Sequence, residues 1–134
     1  MENTGYLVGV VALIQREDGK VLMGLRPKEK VWAGFGGKLE AGESAEEGLR
    51  REVREEVGIE LATVTPMSFG SGVKSDGEHF VALYFHATMV PGSKPVLREA
   101  HAAEALRWID LSDLPENVWE RERSVLAKLV RLKQ

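Results

Sequence analysis

Cysteine is absent from this 134-residue chain. Disulfides, zinc-thiolate sites and thiol nucleophiles are thereby excluded, and nothing points to an oxidising compartment. Any metal must be held by oxygen or histidine. A long hydrophobic run is also missing: the longest, "YLVGVVALI", is too short to span a bilayer and lacks the basic start and small-residue cleavage site of a secretory signal. A cytoplasmic protein with no membrane partner is the expectation. Excess charge of one sign is missing too. A formal net charge of -3 argues against a dominant nucleic-acid-binding surface, so no nucleic-acid partner is expected. Repeats, linkers and low-complexity tracts are not found. What remains, 43% hydrophobic and 29% charged residues over this length, describes one globular domain spanning residues 1–134.

Along the chain, Tyr6 to Gln15 and Val21 to Leu25 read as two strands joined by a Glu17-Asp18-Gly19-Lys20 turn. Arg26 to Val31, with Pro27, is a loop. "WAGFGG" follows as a short strand or a bend, and the loop continues to Glu43. Ser44 with Glu47 forms a capping box and Gly58 stands at a C-terminal cap, so a helix is expected over 45–57. Glu60 to Phe69 reads as a strand interrupted by Pro66, Gly70 to Gly77 as a mobile loop, and His79 to Met89 as a long strand. Pro91 to Pro95 breaks the chain. A last strand over 105–111 precedes an amphipathic helix over 119–132, with Leu126, Leu129, Val130 and Leu132 offered to the core. Mixed strands with two helices imply an α/β or α+β sandwich.

The first helix carries unusual charge. Most charge-rich helices are solvated faces laced by ion pairs at three- and four-residue spacing, and Glu46, Glu47 and Glu55 fit that description with Arg50 and Arg51. Glu52 and Glu56 have no basic residue at those offsets. Together with Glu55 they span roughly a 100° arc beside the stripe of Leu49, Val53 and Val57. At about 4 Å and an effective dielectric near 20, repulsion between two such acids approaches about 4 kcal/mol. A hard divalent cation reverses the sign of that interaction; magnesium, which brings phosphates into its shell, suits an all-oxygen donor set. The preceding loop, with Gly34, Gly36, Gly37 and Gly42, can approach a ligand closely. Gly48, one turn before Glu52, offers room for that loop to pack. His79, His86 and His101 show no metal-ligand spacing.

The run "GKLEAGESAEEGLRREVREEVGI" resembles the signature of the Nudix hydrolases at Gly37, Glu43, Arg51, Glu52, Val53, Glu55, Glu56, Gly58 and Ile59. The strand pattern around it is similar over nearly the whole chain. This resemblance implies an α/β/α sandwich around a mixed sheet and hydrolysis of a nucleoside diphosphate linked to a further group. It implies that Glu52, Glu55 and Glu56 ligate magnesium, or manganese in its place, with the Gly37 carbonyl, and that Arg51 pairs with Glu43 to hold the loop. The general base implied is either a box glutamate or a later loop acid, Glu104 or Glu99, with Glu104 favoured. Arg26 and Lys38 fall where related enzymes place phosphate-contacting cations.

"GFGGK" and Trp119 are similar to the MutT-like branch, which hydrolyses nucleoside triphosphates, oxidised purines included, to the monophosphate and pyrophosphate. Phe35 and Trp119 are the base-packing residues this implies. The chain departs from that branch at Ala33, where a pocket asparagine is expected, and at "WERER", where paired aspartates are expected. Glu122 and Asn117 are the available substitutes. The alternative substrates are ADP-ribose or a nucleotide sugar, and the alternative class is a non-catalytic nucleotide sensor. As for assembly, monomer and homodimer both remain open.

Overall fold

In the computed structural model, which describes residues 5–132, the chain runs through β1 (Leu7–Gln15), β2 (Val21–Leu25), β3 (Trp32–Ala33), β4 (Phe35–Lys38), α1 (Ala45–Val57), β5 (Leu61–Val73), β6 (His79–Met89), β7 (Leu106–Ile109) and α2 (Glu120–Leu132). The strands form one mixed sheet of order β3-β2-β1-β6-β5, with β4 pairing β1 and β7 pairing β2. β1 and β6 are parallel, in register from Leu7 opposite Phe80 to Ile14 opposite Ala87. The remaining pairs are antiparallel. Among the described residues no helix is long and apolar enough to cross a membrane.

A strand buried on both sides sends alternate residues to opposite faces, and β1 does so. Val10, Ala12 and Ile14 join Leu49, Val53 and Val57 of α1 in one core, while Leu13 joins Val125, Leu126 and Leu129 of α2 in the other. The expected α/β/α sandwich is therefore present, with a helix on each face of the sheet. α2 presents a slightly different stripe from the one anticipated. Val125 is buried and Val130 is 39% exposed, because positions 122, 125, 126 and 129 share the sheet-facing side. The Leu132 side chain lies outside the described residues.

The largest departure concerns β5. The expected break at Pro66 is only a register shift between Pro66 and Ser68, and the expected loop from Gly70 is strand: Gly70, Ser71, Gly72 and Val73 pair with Ala82, Val81, Phe80 and His79. Only Lys74 to Glu78 forms the turn, closed by Lys74 N–H donating to Glu78 O. Glycine and serine lower strand propensity, but a complete ladder to β6 outweighs it here. β7 also ends earlier than expected, at Ile109, where Asp110 accepts from Ser112 N and Oγ and turns the chain.

Candidate active site

α1 begins and ends as its caps require. Ser44 Oγ accepts from Glu47 N at 3.1 Å and Glu47 Oε1 accepts from Ser44 N at 3.0 Å, and Gly58 closes the helix at φ 68° with its N–H on Arg54 O. Glu47 thus spends its carboxylate on the cap rather than on Arg50 or Arg51, and those hydrogen bonds hold it below its ordinary range. Glu46 does pair with Arg50, at 3.1 Å.

Arg51 organises the acids. Its Nε donates to Glu43 Oε2 at 2.6 Å and its Nη2 to Glu43 Oε1 at 3.0 Å and Lys38 O at 3.2 Å. Hydrogen bonding to Arg51 lowers Glu43 to about 2. The loop is held on the helix as the resemblance implied, and Gly48 is what lets it close: a Cβ there would stand 2.3 Å from Leu39 Cδ2. Arg51 Nη1 also reaches Glu52 Oε1 at 3.0 Å and both oxygens of Glu55 at 3.3 Å. The expectation that Glu52 has no basic partner is corrected. Adjacent helical positions do not face each other at Cβ, but a guanidinium on its long stem folds back across that gap.

Among the described residues no cation bonds Glu56, although the Arg26 charge acts on it from a distance. It is 5% exposed and accepts one hydrogen bond, from Gly36 N at 3.0 Å. Burial, reinforced by the Glu52 charge, pushes it up to about 8; burial likewise raises Glu52. Glu52 lies against the other glycine of the pair, since a Cβ on Gly37 would come within 2.5 Å of its carboxyl carbon. Oxygen donors, a buried acid lacking its counter-charge and a gap that a Cβ would fill fit a hard divalent cation in chemistry. Arg51 now neutralises part of that cluster, and among the described residues no three acidic or histidine groups already converge to hold a metal.

Gly36, Gly37 and Lys38 also end a cleft of about 540 Å³ on the α2 face. Arg26, Lys38 and Trp119, all anticipated as substrate contacts, line it. Phe35 does not: it is 3% exposed and packed with Leu49 and Val53 in the α1-side core, because β4 alternates and only its neighbours face the cleft. Its expected role at the base is thereby corrected. Asn117 is also committed, donating through Nδ2 to Lys30 O at 3.0 Å, and so fixes a loop. Trp119 is held by its N–H on Trp32 O at 2.8 Å.

Several cleft residues were not foreseen, notably Lys74, Tyr84 and Arg121. Lys74 was hidden by reading the strand that delivers it, β5, as a loop from Gly70, and Arg121 by reading "WERER" only for missing aspartates. Glu122, in the first turn of α2, is 3% exposed and accepts from Gly34 N at 2.8 Å; burial raises it to about 7. Its charge and, above all, burial raise Tyr84 to about 12. Arg26 Nε is buried without a hydrogen-bond partner among the described residues, 3.9 Å from Glu29 Oε1.

The later acids fall opposite to expectation. Glu104 is bound to Lys30 Nζ at 2.5 Å on the surface, whereas the Glu99 charge acts on both Glu52 and Glu56. Glu99, not Glu104, faces the acid helix. His101 stands 3.8 Å from Glu99, His86 bonds Gln15 Oε1 at 2.9 Å, and His79 packs on Tyr6.

Comparison with known proteins gives this arrangement its class. The NUDIX domain model matches residues 5–129. CTP pyrophosphohydrolase of Escherichia coli (strain K12) is 38% identical over 106 residues, covering 76% of this chain and 75% of that one. The Nudix hydrolase YvcI of Bacillus subtilis (strain 168) is 32% identical over 110 residues, covering 81% and 70%. A MutT NUDIX hydrolase from Burkholderia pseudomallei superposes with a TM-score of 0.82 at 32% identity, covering 92% and 97%. The protein is thus a pyrophosphohydrolase acting on phosphoric anhydride bonds. It belongs to the Nudix hydrolase family, whose members generally use divalent metal ions and act on small-molecule nucleotides.

Proposed function

We propose that the protein hydrolyses nucleoside triphosphates to the monophosphate and pyrophosphate in a magnesium-dependent reaction, oxidised purine nucleotides being among its substrates. The observation that carries this reading is the contact at Gly36 and Gly37: the acid cluster presses on one side of this glycine pair, and a cleft lined by Arg26, Lys38, Lys74 and Arg121 opens on it. A cleft of about 540 Å³ falls within the usual size for a small-molecule site. Glu52, Glu55, Glu56 and the Gly37 carbonyl would hold magnesium, or manganese, which when bound supplies charge neutralisation and an acidified water.

The chain's own groups do the rest. Arg26, with its unsatisfied Nε, and Lys38 hold phosphate oxygens in line and offset charge that develops at the leaving group. Glu99 takes the proton of the attacking water, since it is the later loop acid whose field reaches the helix. Arg51 and Glu43 position the loop and helix without touching substrate. Trp119 and Glu122 occupy the base end. The similarity to a CTP pyrophosphohydrolase adds cytosine nucleotides to the substrates to test first.

The test is pyrophosphate release from a panel of CTP, dGTP, 8-oxo-dGTP, ADP-ribose and nucleotide sugars with magnesium. Release of pyrophosphate from triphosphates supports the reading. Turnover confined to ADP-ribose or sugar nucleotides would move the assignment to that class, and binding without any product would make the protein a sensor.

A further inference from the structure

β5 has β6 on one side and, among the described residues, no strand on the other. Such an edge is ordinarily guarded by charge, proline or a bulge, because its free N–H and C=O groups invite a further strand. Here the guard is uneven. All 13 residues of β5, "LATVTPMSFGSGV", are uncharged in a chain that is 29% charged. Pro66 and the register shift beside it protect the middle, but Phe69 to Val73 run in unbroken register against β6 with no such device. Lys74 N–H turns inward onto Glu78 O. Since inward and outward groups alternate along an antiparallel strand, Phe69, Ser71 and Val73 direct theirs to the open side. Their side chains share the α1 face, where Phe69 stands opposite Leu83, yet Phe69 remains 71% and Val73 59% exposed.

The segment is also its own complement. "FGSGV" reads large, Gly, Ser, Gly, large from either end. We propose that a second copy of this chain pairs with it, antiparallel about a two-fold axis at Ser71, joining the two sheets edge to edge. In that register Ser71 faces Ser71 of the second copy and Phe69 faces its Val73, so the outward groups of these residues meet as hydrogen-bonded pairs. Gly70 and Gly72 face each other and leave the opposite side flat. Charge agrees at the margins. Ser68 of one copy comes opposite Lys74 of the other; Ser68 Oγ accepts from Lys128 Nζ at 3.0 Å, while the Lys74 turn sets Asp76 and Glu78, two carboxylates, against its one cation. Lys128 thus approaches a turn of net negative charge. Because Lys74 and Ser75 also line the cleft, the second copy stands at its rim. The contact is small. One short strand per copy falls well short of the roughly 20 to 30 residues a side of a standard interface, so dissociation near about 100 µM is expected.

The full chain is followed by sedimentation equilibrium from about 10 µM to about 1 mM, a range that brackets such weak pairing. A concentration-dependent dimer is expected, and Ser71→Lys, which sets two like charges face to face on the axis, is expected to weaken it by about tenfold or more. Register is read by exchange of charge. Phe69→Lys alone is expected to weaken the dimer by about tenfold; adding Val73→Glu, which the two-fold places opposite it, is expected to restore association to within about threefold of native. All three positions are exposed, and thermal melts check that each variant folds. A native chain still monomeric at the highest concentration would overturn the proposal and leave the edge to a strand from another protein. So would a dimer indifferent to Ser71→Lys, or a double variant no tighter than Phe69→Lys alone.

Discussion

At the scale of single residues, two buried carboxylates define the site. Glu56 and Glu122 lie on different helices, yet each accepts one backbone N–H from the same short segment, at Gly36 and Gly34. Among the described residues β4 pairs with β1 alone, and Gly34 lies between β3 and β4, so these N–H groups take side-chain acceptors. Burial raises both acids, and this has a sign that can be measured. Glu122, at about 7 in the fold against an ordinary value near 4.5, holds its proton more tightly when folded. Its favourable contribution is present below about pH 4.5 and is lost as pH rises through about 7. Glu122→Gln keeps an oxygen for Gly34 and has no charge to lose. It is expected to match the native chain at pH 4.5 and to exceed it at pH 8 by on the order of 2 kcal/mol, read from thermal melts; a variant less stable than native at pH 8 would contradict the burial argument.

At the scale of elements, the Gly-rich strand and the acid helix depend on each other. Gly36 and Gly37 are neighbours, but a Cβ would meet different obstacles at the two. At Gly36 it would stand 1.8 Å from Val10 O, inside the β1 backbone; at Gly37 it would meet only the end of the Glu52 side chain, at 2.5 Å. Gly36→Ala should therefore lower stability by about 3 kcal/mol through forced backbone shifts. Gly37→Ala should leave stability within about 1 kcal/mol, since the end of a flexible side chain can swing away, while turnover falls by about a hundredfold as that carboxylate is misplaced. Equal melting temperatures for the two variants would show the steric account to be wrong. α1 was fully legible because its caps are local: Ser44, Glu47 and Gly58 act within one turn of the ends they fix. The second half of β5 was not, because Gly70 to Val73 become a strand only through β6, a partner that local propensity does not register. The reach of Arg51 onto Glu52 was missed for a similar reason, since helical spacing places Cβ atoms and not the tips of long side chains.

At the scale of the whole molecule, the sheet separates two cores and the site borders both. Leu49 is fully buried on the α1 side and Leu126 on the α2 side. Leu49→Ala and Leu126→Ala are each expected to cost about 2 to 5 kcal/mol, and the double variant to lose the sum within about 0.5 kcal/mol, as residues without shared partners do. Denaturant melts of the three variants check this, and strong coupling would mean the sheet does not insulate the faces. The sandwich itself was legible from the alternation of strands with two amphipathic helices. Which aromatic faces which side was not. Phe35 goes to the α1 core because pairing register, unreadable before the partner strand is known, decides the face, and Trp119 goes to the cleft because its N–H bonds Trp32 O, far away in sequence. The pairing of Glu104 was hidden likewise, since Lys30, which takes it, stands 74 residues away in sequence.

The central claim is that the acids on α1 hold the charge on which hydrolysis at the cleft depends. Magnesium-dependent pyrophosphate release from nucleoside triphosphates, compared between the native chain and Glu56→Gln, tests it most directly. The account predicts that the variant folds and loses turnover by about a hundredfold or more. A folded Glu56→Gln protein that releases pyrophosphate at the native rate would contradict it.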